Sequence, residues 1–85
     1  MLLKKYAQAI ADFSKVLQLR NDDDDAYMER AECYRLMHRY NDALADLDKA
    51  TNLAHASKTF INEERSKIRA EMKESNYSDG SQTIL

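Results

Sequence analysis

The sequence predicts an all-α fold, a short helix–turn–helix solenoid of about four helices, and three observations lead there. An apolar template recurs: setting Leu2–Leu19 over Leu36–Leu53, an offset of 34, gives seven identities in eighteen positions, and a period of that size belongs to helix-pair repeats. Apolar residues elsewhere fall at three- and four-residue spacings, one face of an α-helix. A single glycine and no proline leave little of the turn chemistry that an all-β chain needs.

The identities are Leu2/Leu36, Tyr6/Tyr40, Ala9/Ala43, Ala11/Ala45, Asp12/Asp46, Lys15/Lys49 and Leu19/Leu53, while Ile10/Leu44 and Phe13/Leu47 keep apolar character. Met1–Arg20 is the first predicted helix, with Leu2, Leu3, Tyr6, Ile10, Phe13, Val16 and Leu17 on one broad face. By the repeat register it is the second helix of a unit whose first helix is nearly absent. The chain therefore reads as a fragment of a longer array, and its exposed face as one that associates, because a repeat unit cannot bury its apolar side alone. Asn21–Asp25 (NDDDD) breaks the helix and restarts it. Its carboxylates suit N-capping and the positive end of the next helix. The run has neither the alternating ligands nor the glycine of a calcium loop, so no metal site is expected.

Asp25–Met37 is the second predicted helix, with Tyr27, Ala31 and Tyr34 on one side and Cys33 as a small filler. After a turn near His38–Asn41, Asn41–Asn52 forms the third helix. Asp46/Lys49 there and Asp12/Lys15 one repeat earlier are neighbours at i,i+3, a spacing worth a few tenths of a kcal/mol at most. Ala54–Ser57 is a further turn. Lys58–Ser75 is a charged fourth helix with an apolar stripe of Phe60, Ile61, Ile68 and Met72, as a terminal capping helix requires. It sets Ile61 against Tyr27 and Ile68 against Tyr34, but Arg65 falls where Ala31 stood, which disfavours a close crossing unless the Arg65 stem folds outward. The domain is read as 1–75 and the polar tail, 76–85, as disordered.

The order of large and small residues in Tyr27–Leu53 resembles the tetratricopeptide repeat (TPR) family. Tyr27, Ala31 and Tyr34 match the aromatic, small and aromatic positions of its first helix. Tyr40, Ala43–Leu44, Leu47, Ala50 and Leu53 match its second. Physically, small residues let helices approach and large ones fill the spaces beside them. The match covers roughly Leu2 to Met72 and weakens after Leu53. Three departures stand out: Arg30 in place of an aliphatic, Asn21 where proline is common, and His38 in place of the turn glycine. The Arg30 stem can cover apolar surface while its guanidinium reaches water.

The resemblance implies a non-catalytic protein–protein interaction module, a scaffold or adaptor, that takes a peptide or partner segment in a groove. The implied groove residues are Met28, Glu29, Glu32, Arg35, Leu36, Thr59, Asn62 and Glu63. The variety that clamps heat-shock chaperone C-termini uses Asn, Lys and Arg at positions held here by Glu29, Thr59 and Glu63, so that partner is disfavoured and a basic or mixed-charge one fits better. The architectural alternative docks Leu2, Leu3, Tyr6, Ile10 and Phe13 on another chain, self-association included.

Composition narrows the remaining classes. A net charge of −2 gives no general attraction to nucleic acid or acidic membranes. A DNA-reading role for Asp42–Asn52 would set Asp42, Asp46 and Asp48 against phosphate with only Lys49 to answer. One cysteine and two histidines make neither a zinc set nor a nucleophile–base pair with an oxyanion site, so neither cofactor nor catalysis is expected. With no signal-peptide core and a lone Cys33, the chain reads as cytoplasmic or nuclear. Two further motifs lie in the tail: Asn76-Tyr77-Ser78 is a glycosylation sequon, and Thr83-Ile84-Leu85 resembles the endings that PDZ domains capture.

Overall fold

The computed structural model describes residues 2–74, and across them runs a chain of four helices: α1 (Leu2–Leu19), α2 (Asp24–Leu36), α3 (Tyr40–Thr51) and α4 (Lys58–Glu74). Each predicted helix is present with ends shifted by about one residue. Ser75, the tail Asn76–Leu85 and both tail motifs lie outside the described residues. In the stack, α2 packs against α1 on one side and α3 on the other, and α4 adds to α3 with a lighter contact to α2.

The ends of α2 follow from local chemistry. Asp23 caps it by accepting the Ala26 amide at 3.0 Å, and Asp24 and Asp25 follow in the first turn, where carboxylates meet the positive end of the helix. The Tyr27 hydroxyl donates to the Asn21 carbonyl at 3.3 Å and ties the α1–α2 turn to the helix it precedes. At the other end His38 takes φ = 63°. Its amide donates to Arg35 O at 2.9 Å, and the Arg39 amide donates to Tyr34 O at 2.8 Å. These two bonds are the paired closure of a Schellman turn, whose left-handed residue is usually glycine. Ser57 opens α4 by accepting the Phe60 amide at 3.2 Å.

The core runs along the stack as Leu17, Tyr27, Met28, Tyr40, Leu47, Ile61 and Ile68, with Ala26, Ala31, Ala43 and Ala50 between them. The alanines at 31, 43 and 50 are fully covered, so α2 and α3 approach closely where the repeat pattern places its small residues.

Two polar expectations are corrected. Asp46 is not in an ion pair with Lys49; it is buried, 3% exposed, and faces Arg30. The Arg30 guanidinium, only partly open to water, is spent on protein partners: its Nε and Nη2 each donate to an Asp46 oxygen at 2.7 Å, and its Nη1 donates to Ser14 Oγ at 2.9 Å. The guanidinium also lies 5.9 Å from the Tyr27 ring centre and 5.8 Å from that of Tyr34. One side chain of α2 thereby joins α1, α2 and α3. Its hydrogen bond to Asp46 raises the Arg30 pKa above its ordinary value against the lowering effect of burial. Arg65 meets Asp48 and, at 3.3 Å, Thr51, so a polar clip to α3 replaces the close crossing made at Ala31.

Candidate interaction groove

The N-terminal part of α2 and the start of α4 flank a cleft of about 280 Å³ lined by Asp25, Met28, Glu29, Glu32, Ser57 and Phe60. Its apolar surface comes from Met28, which is buried, and Phe60, which is half-buried. Three carboxylates line it, on residues 25, 29 and 32, and no basic side chain does. The helical spacing explains why they gather: Asp25, Met28, Glu29 and Glu32 succeed one another at three- and four-residue intervals on one side of α2.

Arg35, the one base predicted for the groove, is outside the cleft lining and engaged mainly with α4. It lies 3.2 Å from Glu64 and 2.7 Å from Glu71, and only 3.9 Å separates it from Glu32. Glu64 is 2% exposed, so the Arg35–Glu64 pair is a covered tie between α2 and α4, with Glu71 partly open beside it. Burial alone would lower the Arg35 pKa, but Glu64 and Glu71 outweigh it and the net shift is upward. With its shorter contacts on Glu64 and Glu71, Arg35 answers Glu32 only in part, and Asp25 and Glu29 have no ion pair among the described residues.

The cleft brings together Met28, Glu29 and Glu32 of the eight predicted groove residues. Leu36 is exposed at the far end of α2, and Thr59, Asn62 and Glu63 are exposed on α4 outside the cleft lining. Asp25, Ser57 and Phe60 went unpredicted as groove residues. Asp25 could have been found, since it lies one turn before Met28 and Glu29, whereas Ser57 and Phe60 enter only through the way α4 meets α2.

Two other clusters have clear local chemistry. The carboxylate oxygens of Asp23, Asp24 and Asp25 lie within 4.8 Å of one another. Asp23 accepts the Ala26 amide and Asp24 the Asp25 amide at 2.8 Å, which is capping work. Burial pushes the Cys33 thiol pKa up, and Glu32 and Glu29 add to it, the opposite of what an activated nucleophile requires. No helix among the described residues is long and apolar enough to cross a membrane.

Stacked helix pairs at a fixed sequence period, with small residues at the crossings, define the chain as a helical-repeat protein. A family model described as Tetratricopeptide repeat matches residues 1–58, and the chain belongs to that family, whose repeats are protein-interaction modules. The chain is also 36% identical over 53 residues to Protein SGT1 homolog of Bos taurus, which covers 62% of this chain and 16% of that protein. The chain thus spans a small part of its relative's length. No solved structure matches it.

Proposed function

We propose that this chain is a non-catalytic scaffold or adaptor module that binds a protein segment carrying a basic residue beside an apolar one. The cleft between α2 and α4 is the single observation that supports this. Met28 and Phe60 offer apolar contact, and Asp25, Glu29 and Glu32 surround it with negative charge that Arg35, held by Glu64 and Glu71 and 3.9 Å from Glu32, offsets only in part. An apolar side chain would enter the cleft while a neighbouring Lys or Arg meets the carboxylates, as in most small recognition sites. Glu63, Asn62, Thr59 and Leu36 would extend the contact along the exposed surface. An acidic tail, including a chaperone C-terminal carboxylate, would be repelled.

Titration with two labelled peptides of equal length, one basic–apolar and one acidic–apolar, tests this. The basic peptide is expected to bind, and the double variant E29Q/E32Q to weaken it by about tenfold at low salt. Preference for the acidic peptide, or indifference to the two substitutions, would overturn the reading.

A second reading docks α1 on another chain, and one observation favours it: Leu2 and Leu3 are 66% and 56% exposed, with Tyr6, Ile10 and Phe13 only half-buried beside them.

A further inference from the structure

α1 and α3 carry the same template, so burial at matched positions shows which cover α1 lacks. Tyr40, Ala43 and Leu47 are buried, whereas their counterparts Tyr6, Ala9 and Phe13 are half-buried. Leu44 and Ile10 are half-buried alike, so that side of the template is not where the two differ. The fourth matched pair is polar. Asp46 is buried in the double hydrogen bond from Arg30, while Asp12 is exposed and has no ion pair among the described residues. The face of α1 left less covered than its α3 counterpart is therefore Tyr6, Ala9, Asp12 and Phe13, an apolar strip with one exposed carboxylate in it, of which Phe13 packs in part against the core.

α3 packs on α2, where Arg30 makes the pair with Asp46 and lies beside the Tyr27 and Tyr34 rings, with Ala31 next to it in the core: a large residue, an arginine three on, a small residue next to it and a second large residue. We infer that the α1 face binds, in trans, an amphipathic helix of a partner protein with that same arrangement, its arginine forming with Asp12 the pair that Arg30 forms with Asp46. This rests on the second reading above, that α1 docks on another chain, and names what it docks on. Arginine is required because a carboxylate covered by apolar surface must be answered by a donor pair of matching geometry, which a guanidinium supplies.

A second copy of this chain does not satisfy the requirement. Its α4 is the helix left with an open side, but there the position 34 residues beyond Arg30 is Glu64, and the one beyond Ala31 is Arg65. Glu64 would confront Asp12 with like charge, and Arg65 would occupy the close-approach position.

The probe is a synthetic peptide with the sequence of residues 23–38, titrated into the full chain while the amide NMR signals of α1 are followed. Saturable shifts centred on Tyr6, Ala9 and Phe13 are expected. A peptide carrying Arg30→Met should bind about tenfold or more weakly. The chain variant D12R should lose the natural peptide and regain affinity for a peptide carrying R30D. Equal binding of the Arg30→Met peptide would overturn the arginine requirement while leaving docking by α1 intact. Absence of binding by both peptides to a chain that sediments as a monomer would remove docking and requirement together. Concentration-dependent self-association that shifts the same α1 signals would assign the face to a second copy and overturn the inference.

Discussion

α1 and α3 repeat one template, yet they occupy different environments. Tyr40 is 2% exposed and Leu47 wholly covered, while Tyr6 and Phe13 remain half-open. Their residues cannot account for this, because the two aromatics are identical and phenylalanine is at least as apolar as leucine. The cause is position in the stack: among the described residues α3 packs against both α2 and α4, and α1 against α2 alone. In a helical repeat the fate of a side chain is set by its neighbours along the array, so equal residues contribute unequally.

The largest effect that separates the two copies is a pair of truncations. Leu47→Ala removes a wholly covered side chain at the α2–α3 contact and should lower stability by about 3 kcal/mol. Phe13→Ala removes more atoms from a half-open site and should cost about 1–1.5 kcal/mol, against roughly 3–5 for a buried phenylalanine. Urea unfolding followed by circular dichroism measures both. Equal or reversed costs would mean that α1 is as well covered as α3.

Next in size is the carboxylate pair. Asp46→Asn leaves Arg30 half-answered in a covered site and should cost about 2 kcal/mol, below the full value for a deeply buried pair because the guanidinium is partly open to solvent. Asp12→Asn should stay within about 0.5 kcal/mol, as for an exposed residue without special contacts. The double variant R30M/D46L, which removes both charges, should recover most of the loss. If it does not, the clasp to Ser14 contributes more than the pair.

These pairs also mark what the sequence could and could not reveal. The recurrence at 34 residues carried α1 and α3, and three- and four-residue apolar spacings carried α2 and α4, with ends to within about one residue. Its apolar positions became the core at Tyr40, Ala43, Leu47 and Ala50. Polar partnerships were the failure. Asp46 has Lys49 three residues on, which looks like a surface pair, but its partner is Arg30, 16 residues away on another helix. Arg35 reads as a groove base, but Glu64 and Glu71, 29 and 36 residues distant, take its donors. Periodicity reports which way a side chain points and says nothing of what answers it from across the interface. The recurrence of aspartate at 12 and 46 was the available hint, since a charge kept within an apolar template has a reason to be there. The cleft was half legible for the same cause: Met28, Glu29 and Glu32 share one helix, whereas Phe60 and Ser57 depend on how α4 returns.

The smallest effect lies in the turn that joins α2 to α3. His38 adopts φ = 63°, a region in which a side chain costs about 1–2 kcal/mol and glycine nothing. Two terms oppose a full recovery by His38→Gly. Glycine gains freedom in the unfolded chain, worth about 0.5–1 kcal/mol, and the stacking of His38 on Tyr40, with ring centres 5.7 Å apart, is lost. The net expectation is a stabilisation of about 0.5 kcal/mol, and because the turn closes α2 on α3, it should be uneven. Hydrogen exchange should slow at amides of α2 and α3, which open together, and stay unchanged in the first turns of α1, which open before the rest. Uniform slowing, α1 included, would show that the four helices unfold as one unit and that the difference between the two copies is one of exposure without a difference in local stability.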